Sequence, residues 1–298
     1  MKKHILWITF LLHTAVVQAQ TDIWKQLQIR QSMETAETRE EPAQLLLTLP
    51  KDKDASWVMD IGVAYKFNTN DPGSTSFSSK ILSEFHRNTQ TDKEQNNFQL
   101  GYGYWLQLIT APAGRTSYYL EGDIKYAYDG MAINHSLILD ATVTPYRAPG
   151  GNTAGPYWNA YGYRRHYSYF LSPHIGLQGQ EVFKAPDGKD STEGLILRPL
   201  FDLQAVFRYN YESDVNSPNP NATPLLELSL KYVGRYDVVN TTSGKEDYTN
   251  LFTAGLRYYP IKSNEVKASV GLSYNIGSDP AKGLAQQSYW LFSINLSK

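Results

Sequence analysis

Apolar and polar residues alternate one by one along most of this chain. Between Glu265 and Ile276, the residues Val266, Ala268, Val270, Leu272, Tyr274 and Ile276 share one side. Glu265, Lys267, Ser269, Gly271, Ser273 and Asn275 share the other. A period of two places successive side chains on opposite faces of a β-strand, one greasy and one wet. The same pattern puts Trp57, Met59, Ile61, Val63, Tyr65 and Phe67 on one face. It recurs at Phe98 to Leu108, Leu120 to Tyr128, Phe201 to Tyr209 and Leu226 to Tyr232, and last at Trp290 to Leu296. A direct count gives eleven such runs.

These runs persist for about ten residues or more, longer than the five to six usual in a soluble β-sandwich. Their apolar faces are rich in aromatics, and the chain holds 22 tyrosines. Tyrosine suits a boundary where the ring meets acyl chains and the hydroxyl meets headgroups. The mean hydropathy of −0.44 is no obstacle, since half of each barrel strand faces water.

The N-terminus reads as a secretory signal. Lys2 and Lys3 precede the apolar stretch Ile5 to Val17, and Val17-Gln18-Ala19 offers a cleavage site before Gln20. That stretch is too short to span a bilayer as a helix, and no later stretch reaches the roughly 18 apolar residues a helix needs. Any crossing must therefore be made by strands. There is no cysteine, which removes disulfides, thiolate metal sites, a cysteine nucleophile and a lipoprotein anchor. The net charge is −1, and loss of Lys2 and Lys3 makes it −3, which gives nucleic acid no support as a partner.

Together these features resemble a Gram-negative outer-membrane β-barrel, an all-β, antiparallel, up-and-down transmembrane barrel of about 12 strands. The expected organisation is a signal at 1–19, a periplasmic lead-in or partial plug at 20–55, and the barrel at 56–298. In the lead-in, Thr21-Asp22 could cap a short helix carrying Ile23, Trp24, Leu27 and Arg30. The final run resembles the closing strand read by barrel-assembly machinery, although the chain ends on Lys298 and not on an aromatic. Both termini are expected in the periplasm. Even strand numbers and short periplasmic turns are the rule for such barrels. Dividing Tyr157–Phe183 at Ser172-Pro173 turns eleven runs into twelve and moves the tight Asp129-Gly130 turn to the periplasmic side.

The face opposite the apolar one would line the lumen. It carries Asp60, Lys66, Glu121, Asp123, Lys125, Asp202, Gln204, Arg208, Glu227, Lys231, Arg235, Arg257, Glu265 and Lys267, together with Gln99, Gln107, Asp140 and Asn275. With both signs present, these residues either orient a small solute in a polar pore or fill a narrow barrel with ion pairs. The expected function is therefore passive, a channel or structural envelope protein, with no cofactor and no metal site. Its partners would be outer-membrane lipid, the barrel-assembly machinery and, if the lumen is open, a small solute.

His166-Tyr167-Ser168 resembles the His-x-Ser element of the outer-membrane phospholipase A and lipid A deacylase families. That resemblance implies a lipid hydrolase with Ser168 as nucleophile and His166 as base, oriented by Gln180. Tyr169 and Phe170 stand where those motifs commonly carry asparagine and glycine. By the alternation, His166 and Ser168 face the lumen, while those hydrolases keep their catalytic residues on the lipid side. Glu41-Pro42-Ala43-Gln44-Leu45 is similar to the Asn-Pro-Ala-x-Leu lead-in of the long-chain fatty-acid channel family, with Glu41 in place of asparagine. That resemblance implies a hydrophobic-solute channel.

Overall fold

The computed structural model describes residues 26–30, 32–33, 43–48, 56–67, 77–89, 94–112, 115–147, 157–164, 166–184, 193–211, 224–242, 247–261 and 267–297. The expected signal, the Glu41-Pro42 part of the expected lead-in and Glu265 lie outside them. Every strand among the described residues belongs to one antiparallel sheet. Eleven strands are long: β3 (Ser56–Lys66), β4 (Phe77–Asn88), β5 (Gln95–Ile109), β6 (Ser117–Asp129), β7 (Asn134–Tyr146), β9 (Tyr167–Lys184), β10 (Gly194–Asn210), β11 (Pro224–Tyr236), β13 (Tyr248–Tyr258), β14 (Lys267–Asp279) and β15 (Leu284–Ser297). They match the eleven alternating runs in number. Four are short: β1 (Leu27–Arg30), β2 (Gln44–Thr48), β8 (Gly162–Arg164) and β12 (Val239–Asn240).

The short strands continue longer or fellow short ones along a shared neighbour. β1 pairs the end of β3 (Leu27 with Tyr65) and β2 its beginning (Thr48 with Ser56), so the two form one interrupted edge strand. β7 and β8 lie end to end against β9, and β11 and β12 end to end against β10. The hydrogen-bonded path thus holds twelve strands in up-and-down order. The twelfth comes from before residue 56, and Leu27 opens a strand instead of facing out from a helix.

The expected break at Ser172-Pro173 is corrected: β9 is one strand of 18 residues, and Pro173 pairs with Leu203. On the other edge, β7 pairs only as far as Ile175 and β8 only from Tyr169 backward, so Pro173 falls in the gap between them. Its missing N–H leaves no ladder bond unmade there, and its carbonyl accepts a 2.8 Å hydrogen bond from Thr144 Oγ1. With β9 undivided, the Asp129-Gly130 turn and the C-terminus sit at opposite ends of the sheet. A periplasmic C-terminus and a periplasmic short turn are therefore incompatible.

The sheet curls on itself. Gln99 Nε2, on β5, donates to the Ala281 carbonyl at 2.8 Å, in the 3-10 turn Pro280–Lys282 that joins β14 to β15. Ala281 packs with Ala127 of β6 and Ile138 of β7. Among the described residues, no backbone pairing joins β15 to β1 or β2.

Candidate functional site

The two faces of the curled sheet are inverted relative to a water-soluble protein. The concave face is buried and polar: Arg30, Glu84, Gln99, Lys125, Gln178, Gln204 and Glu227 all have 2 % exposure or less. The convex face is exposed and apolar, with Ile81, Leu100, Ile124, Leu139, Leu177, Leu228, Leu256 and Leu272 between 41 % and 53 % exposed.

Strict alternation places the polar residues expected on one face there. Lys125, Asp202, Gln204, Glu227 and Arg235 are buried, and Asp60, Lys66, Glu121, Asp123, Arg208, Lys231 and Arg257 half-buried. Lys267 begins β14. The pairing register then decides which of them meet. Asp123 on β6 lies opposite Asp140 on β7, and Lys125 Nζ is 3.3 Å from the first and 3.5 Å from the second. Gly101, opposite Lys125, makes room for it, since a Cβ there would come within 2.7 Å of the lysine Cγ. Gly101 and Gly103 both lie inside continuous β5.

Asp140 also accepts a 2.7 Å hydrogen bond from Gln178. Arg198 donates to Gln178, to Gln180 and, at 2.6 Å, to Asp237. Farther along, Glu227 accepts from Arg208 at 2.8 Å and from Arg257 at 3.4 Å, and Arg208 lies 4.3 Å above the Tyr161 ring. Tyr259 lies just beyond the end of β13, and burial raises its phenol pKa, with Glu227 adding to the effect. It stays an uncharged hydroxyl beside these arginines.

A third network was missed in the sequence. His86 Nδ1 meets Asp60 at 2.9 Å, and its Nε2 meets Glu84 at 3.1 Å. Ser32 Oγ donates to Glu84 at 3.1 Å and accepts from Lys282 at 2.9 Å. Arg235 pairs with Asp279 at 3.0 Å, both 2 % exposed in their side chains. On β4, Ser83 and Arg87 interrupt the outward apolar face, which hides the inward Glu84 and His86. Ser32 and Asp279 carried no periodic signal at all.

Between these networks lies a cavity of about 100 Å³, lined by residues of β4 to β7 and β9 to β11. Its wall includes Trp105, Glu121, Asp123, Asp202, His174 and Arg235. Trp105 stacks on Tyr119 with ring centroids 4.0 Å apart, and His174 Nε2 meets Glu121 at 3.2 Å. A space of this size holds roughly three waters and is well below the ~300 Å³ of ordinary ligand pockets. Both polar ends of the Gln204 side chain are buried without a partner among the described residues, a position that water satisfies in proteins. Among the described residues, no cluster of three or more His, Asp or Glu is arranged to hold a metal ion.

The His-x-Ser element does not assemble as a catalytic pair. Ser168 is buried on the concave face, where its hydroxyl exchanges long hydrogen bonds with the Asn210 amide at 3.4 and 3.5 Å. His166 stacks on the Tyr209 ring, and no hydrogen bond joins it to Ser168. Gln180 is engaged with Ser136 and Arg198.

No family model and no curated protein matches the chain. Among solved structures, a chain described as "Unveiling the Mechanism Behind the in-meso Crystallization of Membrane Proteins" is similar to it over 85 % of this chain and 82 % of that one. The identity is 14 % and the TM-score 0.35, a likeness too slight to carry an argument about fold or function.

Proposed function

We propose that the chain is a passive outer-membrane β-barrel of twelve strands, exported by its N-terminal signal. Its polar lumen is closed in the state described and admits small solutes only when its inner packing opens. The observation that carries this reading is the inversion of the two faces. A convex apolar surface around a concave polar one needs lipid outside.

The outward residues support it in finer detail. Along β6 the convex face runs Tyr118, Leu120, Gly122, Ile124, Tyr126 and Tyr128, aliphatic in the middle and aromatic at both ends. At ~3.3 Å per residue and a tilt of ~40°, the step from Tyr118 to Tyr128 rises ~25 Å, the height of the apolar band in such barrels. Tyr167, Phe207, Tyr209 and Tyr258 fall at the end shared with Tyr118, and Phe183, Tyr236 and Tyr248 at the end shared with Tyr128. Two aromatic girdles flanking an aliphatic band suit the two interfaces of a bilayer.

The filled interior favours a closed barrel over an open pore. Twelve strands lie between small barrels filled by side chains and the water-filled porins of ~16. Here charge meets countercharge across the space, and the cavity bordered by Trp105, His174, Asp202 and Arg235 measures about 100 Å³. Purified protein refolded in detergent should migrate differently on a gel before and after heating. In planar bilayers it should stay silent for long periods, broken by brief openings. Recovery as a soluble monomer with no mobility shift would sink the barrel, and a steady, porin-sized conductance would sink the closed lumen.

A further inference from the structure

The turn between β14 and β15 folds inward. It does not stand clear of the strand ends as a simple hairpin would. Ser278, Asp279 and Ala281 are each at most 7 % exposed. Ala281 is seated among Ala127 and Ile138, on strands that are far from β14 in the order of the sheet. The turn's own carbonyls are satisfied by that distant wall: Gln99 donates to Ala281 O, and Gln95 donates to Lys282 O at 2.6 Å. Its charges are held as well. Asp279 pairs with Arg235 of β11, and Lys282 donates to Ser32, beside β1. The connection and the Asp279 that precedes it thus touch the wall at β5, β6, β7 and β11 as well as the N-terminal segment. The 100 Å³ cavity lies next to it, because Arg235, the partner of Asp279, is part of the cavity wall.

The backbone is built for this fold-in. Gly277 has φ +124°, and Gly283 has φ +64°, both in the left-handed half of the map that glycine enters freely. A Cβ on Gly277 would meet the Asn250 carbonyl oxygen at 1.9 Å. The register of β14 with β15 shifts between Gly277 and Asp279, so the ladder is already broken where the turn departs. A glycine at each end brackets a segment that, beyond the ladder pairing of Gly277 with Leu251 and Gln287 and of Asp279 with Leu284, is held to the wall by side-chain contacts and two carbonyl bonds.

We propose that residues 277–283 are a gate: they move about Gly277 and Gly283 as a unit, and the conformation described is the shut one. The inference rests on the barrel reading and adds the moving part that a closed lumen requires. Shut, the turn holds Ala281 in its apolar seat and Asp279 on Arg235. Open, those contacts exchange for water, and the cavity beneath joins the solvent at that end. The equilibrium between the two states responds to any change that affects one state more than the other.

The chain has no cysteine, so an introduced pair is unique. Ala127→Cys with Ala281→Cys places two thiols within one packed cluster at minimal change of volume. The oxidised variant should be silent in planar bilayers, and addition of a thiol reductant should restore openings in the same membrane. Asp279→Asn should raise open-state occupancy about tenfold, the change that ~1.4 kcal/mol of lost closed-state stabilisation produces. Identical conductance with and without reductant, or failure of the bridge to form, would overturn the gate. A heat-dependent mobility shift run on the same samples separates that result from failure of the barrel itself, which would abolish the shift and the insertion together.

Discussion

Asp123 and Asp140 stand directly opposite each other across the β6–β7 ladder, with the Lys125 ammonium 3.3 and 3.5 Å from them. Two carboxylates in this position repel, and a cross-strand like-charge pair is destabilising on its own. The lysine between them is fully buried, so the trio holds only as a trio. Such an arrangement fills part of the concave face and fixes β6 against β7 in one register.

Lys125→Met removes the charge that both acids share. Loss of one partner from a buried ionic group costs about 3–5 kcal/mol. The variant should fold in lower yield and lose its mobility shift at a lower temperature than wild type, and Asp140→Asn added to it should recover part of the loss. Wild-type behaviour of Lys125→Met in a heating series would show that the trio contributes nothing.

Leu228 lies on the convex face near the middle of β11, 41 % exposed. If lipid surrounds it, Leu228→Arg should destabilise the folded state by about 2–4 kcal/mol, while Leu228→Phe is tolerated. Denaturant titration of protein folded into lipid vesicles measures the difference. Equal stability of the two variants would mean that this surface does not meet lipid.

Asn159 carries φ +52°, is buried, and ties three pieces of backbone together. Its Nδ2 donates to Thr144 Oγ1 at 2.5 Å and to Pro145 O at 2.8 Å, and Ser172 Oγ donates to its Oδ1 at 2.5 Å. Asn159→Ala leaves these groups buried and unmatched, at about 1–3 kcal/mol, and Asn159→Gly relieves the backbone but not the lost bonds. Both should lower the unfolding temperature followed by circular dichroism, with alanine the worse. A glycine variant as stable as wild type would reduce the role of Asn159 to its backbone shape.

Ser168 faces the concave side and contacts Asn210 instead of His166. Protein in mixed micelles should therefore release no fatty acid from phospholipid or lipid A. Release that disappears in both Ser168→Ala and His166→Ala would establish the hydrolase and reverse the orientation of β9.

The alternation by itself determined which side of its own strand each residue occupies. Because side chains on a strand repeat every two residues without drift, Glu121, Asp202, Lys231 and their companions could be placed on one face before any partner was known. The number of long strands came from the same signal. The twelfth strand did not, because β1 and β2 have four and five residues, too few for a period to be counted. The course of β9 through Pro173 was hidden for a different reason. Whether a proline breaks a strand depends on whether its N–H side has a neighbour, and the gap between β7 and β8 exists only in the assembled sheet. Contacts between distant strands across the concave face were hidden most completely. Lys282 and Ser32, or Arg235 and Asp279, meet only because the sheet curls and the 280–282 turn folds inward. Curvature sums small twists over every strand pair, and no local period encodes that sum. The sequence therefore sets the two faces of each strand, and the curl of the sheet decides which polar side chains are buried against one another.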